Sequence, residues 1–145
     1  AHRLKVPCNV FPKEDWIAGD EILSVLQEYN IDFIVLAGFL LRVPDLLLHA
    51  YPNKIVNIHP ALLPKFGGKG MYGSRVHEAV LAAGEQESGI TIHYINEHYD
   101  EGNIIFQATC PVFSSDTASD VATRVHQLEY EHFPSVIEKV LLHTV

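Results

Sequence analysis

Size, composition and charge narrow the possible classes of protein. The 145 residues are enough for one ordinary domain and too few for two, and 48% hydrophobic with 19% charged residues is typical of a folded globular chain. No apolar run approaches the roughly 18 residues that span a bilayer. The net charge is −8 and the ten lysines and arginines are scattered, so we expect neither nucleic acid nor a membrane as a partner.

The two cysteines, Cys8 and Cys110, lie far apart in the sequence. Two lone thiols without an apolar signal segment near the start favour a reducing compartment and no disulfide framework. We therefore expect a cytoplasmic protein with both thiols free. The oligomeric state stays open between a monomer and a homodimer.

The first half of the chain alternates apolar runs with amphipathic segments. Helical spacing of apolar residues predicts one long helix at residues 15–29. The near-continuous apolar run at residues 31–37 is typical of a strand that is covered on both faces, with Gly38 at its end. The remaining elements are a strand, a short helix and a further strand, expected at residues 6–10, 44–50 and 54–58.

The second half predicts a glycine-rich loop, a helix, two strands and a long C-terminal helix, at residues 59–73, 74–83, 89–95, 104–112 and about 117–142. Asp116 or Thr117 is the expected cap of the last helix. Strands that alternate with helices predict an α/β fold with a mostly parallel sheet and helices on both faces. The two strands that flank residues 96–102 are close enough to form an antiparallel hairpin, so a mixed sheet stays open as the alternative.

Asn57 and His59 stand where the strand predicted at residues 54–58 ends. Side chains alternate along a strand, so both point to the same face. In open α/β sheets, ligands bind beyond the carboxyl ends of the strands. The amide can donate to a carbonyl oxygen that gains negative charge, and the imidazole can move protons near neutral pH. We interpret the pair as part of a reaction centre; the alternative is that both only bond loop backbone.

Two carboxylates have open interpretations. Asp100 lies in an Asp-x-Gly stretch, which favours a turn in which the carboxylate only bonds nearby backbone. His93, on the strand before that turn, keeps open a catalytic alternative in which the carboxylate holds the imidazole. Glu129 shares the apolar helix face of Val125 and Phe133, so it either faces water at a cleft or contacts a ligand there. The histidines have no spacing typical of a metal site, so we expect no metal.

Four segments in order carry a family resemblance. The sequence resembles the folate-dependent formyltransferases at residues 36–39, 57–64, 88–94 and 100–107. The resemblance covers essentially the whole chain and implies one Rossmann-like formyltransferase domain over residues 1–145. It implies transfer of a formyl group from 10-formyltetrahydrofolate, as co-substrate, to the amine of glycinamide ribonucleotide in purine biosynthesis. No metal is required for this chemistry.

The resemblance also implies roles for the candidate residues. Asn57, His59 and Asp100 match the catalytic set of the family, which favours the catalytic interpretation of Asp100 over the turn. Asn57 and His59 are expected to stabilise the oxyanion of a tetrahedral intermediate, and Asp100 to pair with the imidazole and help to move a proton through water. His93 matches a supporting histidine behind the catalytic pair.

Binding residues follow from the same matches. Pro60 and Glu129 are expected at the ribonucleotide. Arg42 stands one position after the arginine that many relatives carry in the folate site. The implied folate contacts are Leu40, Leu41, Arg42, Val43, Ile95, Asn96, Glu97, His98 and Tyr99.

One part of the family pattern has no counterpart in this sequence. Relatives open with a strand and a Gly/Ser-rich turn that binds the substrate phosphate at a helix N-terminus. We therefore expect the first βα unit, with this phosphate loop, to be missing, and the domain to be incomplete at its N-terminal end. Three alternatives stay open: formyltetrahydrofolate deformylase, methionyl-tRNA formyltransferase, and a non-catalytic fragment that binds folate.

Overall fold

The structure, a computed structural model, describes residues 1–97 and 103–143. A short 3₁₀ turn at His2–Leu4 comes first. The α-helices are α1 (Asp15–Ala18), α2 (Asp20–Glu28), α3 (Asp45–Ala50), α4 (Ser74–Ala82) and α5 (Ala118–His143). The strands are β1 (Ile34–Leu36), β2 (Ile55–His59), β3 (Glu87–Tyr94) and β4 (Ile104–Pro111).

The described strands form one sheet in the order β1-β2-β3-β4. β1 and β2 run parallel, whereas β3 runs antiparallel to both β2 and β4. The α/β class and the antiparallel hairpin are confirmed, and the alternative of a mixed sheet is the correct one. The expectation of a mostly parallel sheet is wrong for these strands. The connection over residues 60–86 returns the chain to the carboxyl end of β2, so β3 begins where β2 ends.

Helices pack on both faces of this sheet, as expected. Ile55 belongs to an apolar cluster with Ile22 of α2 and Leu47 of α3. The next residue, Val56, belongs to a second cluster that includes Val80 of α4 and residues of α5. Neighbouring residues of a strand point to opposite faces, so the two clusters lie on opposite sides of the sheet. Asn57 and His59 follow Ile55 at every second position of β2, so their side chains point to the same face as Ile55. They lie beyond the first cluster, at the end of the strand.

The helix expected at residues 15–29 is divided at Gly19 into α1 and α2. Gly19 has a φ of 85°, in the left-handed region that side chains disfavour. A Cβ at this position would lie 2.9 Å from the Cβ of Pro44. The apolar spacing continues across the break, which is why periodicity alone predicted one helix. The glycine lets the chain turn against the start of α3.

β1 is shorter and less covered than its apolar sequence predicted. Val35 is 42% exposed at its centre, because α5 packs mainly on β3 and β4 and does not cover this face of β1. The expectation of a strand buried on both faces is therefore wrong. Residues 6–10, also expected as a strand, are exposed and irregular. Pro7 lacks the backbone N–H that a ladder uses.

The start of α5 carries the expected cap. The backbone N–H of Asp120 donates to Thr117 Oγ1 at 3.2 Å, and the Asp120 carboxylate accepts from the Thr117 N–H at 2.8 Å. This reciprocal pair satisfies backbone donors that the helix itself leaves unpaired. Thr117, rather than Asp116, is thus the cap.

Both cysteines are free in the structure, Cys8 exposed and Cys110 buried. Burial raises the pKa of the Cys110 thiol and makes it a poor nucleophile. Within residues 1–97 and 103–143, no helix is long and apolar enough to cross a membrane.

Candidate active site

A cavity of about 1300 Å³ lies at the carboxyl ends of β1 and β2. These two strands are parallel, so both chain exits lie on the same edge of the sheet. The segment after β1, the end of β2, the glycine-rich loop, the first turns of α4 and one side of α5 line the cavity. Among the lining side chains with hydrogen-bonding groups are Arg42, Asn57, His59, Lys69, His77, His126 and Glu129.

Asn57 lines the cavity and is held from behind by His93. His93 is fully buried on β3, directly opposite Asn57 in the ladder of β2 and β3. Its Nδ1 lies 3.1 Å from the backbone oxygen of Tyr94, and a carbonyl only accepts, so Nδ1 carries a proton. Nδ2 of Asn57 lies 3.3 Å from Nε2, and an amide NH₂ group only donates, so Nε2 is the acceptor in this contact and the ring is the neutral tautomer. The contact turns the NH₂ group of Asn57 towards His93 and leaves its second N–H for a reactant.

His59, 4% exposed, also lines the cavity and has a fixed ring orientation. Its Nε2 lies 2.7 Å from the backbone oxygen of Phe66, so Nε2–H donates to this carbonyl. Nε2–H is committed to this carbonyl, so Nδ1 is the ring nitrogen that is left for a reactant. Phe66 has a φ of 55°, and this left-handed conformation belongs to the turn that presents its carbonyl to His59.

The segment after β1 forms an apolar part of the cavity wall. Leu40, Leu41, Arg42 and Val43 all line it, as does Ile95 after β3. Arg42 pairs with Asp45 at 2.8 Å in an exposed contact. Glu97 lies in an exposed pair with His49 at 3.3 Å, and neither Asn96 nor Glu97 is among the described lining residues. The structure therefore brings only part of the expected folate set to the cavity.

The wall formed by α4 and α5 contains two histidines that the sequence did not single out. His77 is 3% exposed, and its Nδ1 has no hydrogen-bond partner among the described residues. Burial lowers the pKa of His77, and the nearby His126 lowers it further. Nδ1 of His126 lies 3.1 Å from Oε2 of Glu129. The three-residue spacing of His126 and Glu129 on one helix was the available sequence signal.

Glu129 itself lies at the cavity, with a side chain that is 24% exposed. Both the water and ligand interpretations required a cleft at this point of α5, and the cleft is present. Pro60 lines the cavity as well. Asp100, His98 and Tyr99 lie outside the described residues, so their expected roles stay predictions. No group of three or more metal-ligating side chains occurs in the described ranges.

Residues 1–137 match the protein family described as formyl transferase. The chloroplastic phosphoribosylglycinamide formyltransferase of Arabidopsis thaliana is 45% identical over 137 residues, which cover 91% of this chain and 47% of that protein. The phosphoribosylglycinamide formyltransferase of Haemophilus influenzae is 34% identical over 142 residues, which cover 95% of this chain and 65% of that protein. The chain thus spans about half the length of the Arabidopsis relative.

Solved structures agree with the sequence matches. Glycinamide ribonucleotide transformylase 1 from Geobacillus kaustophilus matches with a TM-score of 0.86 and 38% identity, over 97% of this chain and 74% of that one. A formyltetrahydrofolate deformylase from Pseudomonas syringae matches with a TM-score of 0.73 and 25% identity, over 81% of this chain and 38% of that one. The Rossmann-like fold and the family resemblance predicted from the four segments are confirmed: this chain belongs to the formyl transferase family.

Proposed function

We propose that this protein transfers a formyl group from 10-formyltetrahydrofolate to the amine of glycinamide ribonucleotide, a step of purine biosynthesis. The observation that carries the proposal is the cavity at which Asn57 and His59 lie side by side. A hydrogen bond to His93 fixes the amide of Asn57, and a hydrogen bond to the Phe66 carbonyl fixes the ring of His59. The cavity also extends to α5, which leaves room for an acceptor as well as a formyl donor. Relatives named phosphoribosylglycinamide formyltransferase support the choice of acceptor.

In this proposal His59 works through Nδ1. Its Nε2 is committed to the Phe66 carbonyl, so the neutral ring offers a lone pair at Nδ1 and the protonated ring offers an N–H there. When the amine attacks the formyl carbon, the carbonyl oxygen gains negative charge. A protonated Nδ1–H stabilises this oxygen, and the cavity wall keeps bulk water from competing.

Asn57 supplies the second donor to the same oxygen. One N–H of its amide is directed to His93, and the other is the donor assigned to the oxyanion. Asp100 is proposed to accept the amine proton through water and to return it to the folate nitrogen as the carbon–nitrogen bond breaks. The products are the formylated amine and tetrahydrofolate, and atoms and protons balance without a metal.

The two substrates are assigned to different parts of the wall. Folate is proposed to lie against Leu40–Val43 and Ile95, where apolar surface suits a flat ring and Arg42 can meet a carboxylate. The ribonucleotide is proposed to lie near Pro60 and Glu129, where a carboxylate can accept from a ribose hydroxyl. Asn96, Glu97, His98 and Tyr99 stay proposed folate contacts of the segment before Asp100.

We propose a monomer or homodimer that acts on small molecules and binds neither nucleic acid nor membrane. The two free thiols suit the reducing cytoplasm, whereas the name of the Arabidopsis relative assigns that protein to the chloroplast.

A deformylase is the alternative that a specific observation favours, because one matching structure bears that name. A deformylase gives the formyl group to water and needs no second organic substrate. The two reactions are separated by their products, formate in one case and a formylated ribonucleotide in the other.

The test is an assay of the purified protein with 10-formyltetrahydrofolate, with and without glycinamide ribonucleotide, in which both products are separated by chromatography. Formylated ribonucleotide that appears only when both substrates are present is the expected result. Formate release that does not depend on the ribonucleotide would assign the deformylase reaction. Folate binding with neither product would contradict both and identify a binding protein.

A further inference from the structure

Thr91 and Gln107 form a row of polar side chains with His59. The chemistry proposed above uses His59 and gives no role to Thr91 or Gln107. Thr91 lies opposite His59 in the ladder of β2 and β3, and opposite Gln107 in the ladder of β3 and β4. Residues directly opposite each other in antiparallel strands share a face. The row runs across the sheet beneath the loop of residues 60–66, which connects His59 to Phe66.

Among the described residues, the Thr91 hydroxyl bonds to this loop and to Gln107. Oγ1 donates to the backbone oxygen of Ala61 at 2.7 Å and accepts from the backbone N–H of Leu63 at 3.0 Å. Nε2 of Gln107 donates to Oγ1 at 2.9 Å and to the backbone oxygen of Leu63 at 3.0 Å. One hydroxyl proton and two lone pairs are thereby all occupied. Thr91 is fully buried, so an unpaired group here is costly.

The same loop also packs on β3 next to Thr91. Gly89 lies two residues before Thr91, and a Cβ at Gly89 would clash with the backbone of Ala108 on β4 and lie 2.9 Å from Cδ2 of Leu62. The glycine therefore allows both β4 and the loop to lie close to β3 at this point. Loop residues Ala61, Leu62 and Leu63 are thus fixed by two hydrogen-bonding side chains and one close approach.

The fixed part of the loop leads directly to the group that orients His59. Three residues after Leu63, the backbone oxygen of Phe66 accepts the Nε2–H of His59 at 2.7 Å. A shift of Leu63 would move this carbonyl, and the His59 ring would lose the partner that holds its proton on Nε2. A displacement of about 1 Å at a reacting group can reduce a rate by roughly 100-fold.

We propose that Thr91 and Gln107 are positioning residues, which hold the loop of residues 60–66 so that the Phe66 carbonyl fixes the ring and tautomer of His59. The proposal rests on the formyl transfer proposed above for its kinetic consequence, but its structural part does not. Neither residue contacts the substrates in this assignment. They act through the loop backbone and, at its end, through one carbonyl.

The central test uses Gln107→Met, which keeps the length of the side chain and removes both N–H donors. Gln107 lies at the exposed side of the row, so this change leaves the core intact. We expect kcat for formyl transfer to fall by about 10-fold to 100-fold with KM for both substrates nearly unchanged. We also expect the ¹⁵N and Nε2–H resonances of His59, recorded by NMR, to shift and the proton to exchange faster with water.

Two variants at Thr91 and one control complete the test. Thr91→Ser keeps the hydroxyl and is expected to retain the wild-type kcat and His59 resonances, whereas Thr91→Val is expected to behave like Gln107→Met. Thr109→Val changes an exposed hydroxyl on the same face of β4, two residues from Gln107, and is expected to alter neither quantity. Should Thr91→Val fail to fold, Gln107→Met decides alone.

The possible outcomes separate this proposal from the proposed function. Unchanged His59 resonances in Gln107→Met would overturn the positioning role, whatever happens to the rate. Shifted resonances together with a lower kcat would support both proposals. Shifted resonances in a protein whose wild type makes no formylated ribonucleotide would support the positioning role and overturn the proposed function.

Discussion

The chain leaves β1 and β2 at the same edge of the sheet, but the two exits are built differently. After β2, the loop of residues 60–66 is held by buried hydrogen bonds from Thr91, and its end bonds His59. After β1, the segment of residues 37–43 contributes apolar side chains and an exposed ion pair of Arg42 with Asp45. Both segments line the same cavity.

The difference matches the tasks proposed for the two exits. A catalytic group must be held close to its productive geometry, which buried and fully paired hydrogen bonds achieve. A binding wall for a ring and a flexible tail only needs matching surface, and exposed ion pairs contribute little to holding it in place. We therefore expect substitutions after β2 to reduce kcat and substitutions after β1 to raise KM.

The largest effect is expected at the catalytic group itself. His59→Ala removes the proposed Nδ1 donor, and we expect kcat to fall by about 100-fold to 10,000-fold while folate binding is retained. His2→Ala, at an exposed histidine near the chain start, serves as the control and is expected to retain full activity. Asp100→Ala is expected to show a similar loss. Turnover near the wild-type rate in either catalytic variant would contradict the assigned role.

A smaller effect is expected at α5, which belongs to neither exit. Glu129→Gln keeps the shape of the side chain and removes its charge, and with it the ion pair to a protonated His126. We expect kcat/KM for the ribonucleotide to fall by about 10-fold, with folate affinity unchanged. Glu138→Gln changes an exposed carboxylate farther along the same helix and should have no effect. An equal loss of folate affinity would show that the two substrate regions are not separate.

A weaker effect is expected at the exit of β1. Arg42 is exposed and already paired with Asp45, so Arg42→Ala should raise KM for the folate substrate by only about 2-fold to 5-fold. The effect should decrease at high salt, because exposed charges are screened. Arg3→Ala, at an exposed arginine near the chain start, is the matched control. A loss of kcat without a change in KM would remove the distinction between the two exits.

The sequence predicted the β2 exit better than the β1 exit. Strand alternation was enough to put Asn57 and His59 on one face, and apolar runs located β1 and β2. The Phe66 carbonyl could not be foreseen, because it depends on a turn whose backbone shape is set by contacts with β3. The exposed centre of β1, at Val35, was also missed, since an apolar sequence does not reveal which neighbours cover it.

Strand direction was the main error in the fold. Alternation of strands and helices predicted parallel pairing, yet the long connection after His59 returns the chain to the same edge, so β3 runs antiparallel. This direction puts Thr91 opposite His59 and His93 opposite Asn57. The supporting roles that we propose for Thr91 and His93 depend on this topology, which the apolar pattern did not specify; His93 was expected only from the family resemblance. The sequence also did not single out His77. It lies among the buried residues of α4, where a histidine is taken for a core residue.

The smallest effect on activity is expected at a third strand exit, that of β4. The Asp116 carboxylate accepts two hydrogen bonds from Arg124, at 2.6 and 2.7 Å, and one from the backbone N–H of Phe113. The bonds from Arg124 and then from Phe113 lower the pKa of Asp116 from 3.8 to about 2. Since the folded-state pKa is the lower one, this group stabilises the fold above about pH 4 and loses that contribution as the pH falls towards 2.

Asp116→Asn should therefore change acid stability and leave catalysis intact. Near pH 3 the unfolded chain binds more protons than the folded chain at this position, and the variant should reduce the proton uptake on unfolding by up to about one proton. Denaturant unfolding measured between pH 2 and pH 7 gives this slope, with Glu138→Gln as a control. A kcat near neutral pH that stays at the wild-type value would show that hydrogen bonds at a strand exit serve catalysis only where they lead to His59. A lower kcat would mean that the β4 exit is coupled to the cavity through α5. The comparison of strand exits would then have to treat α5 as a link between them.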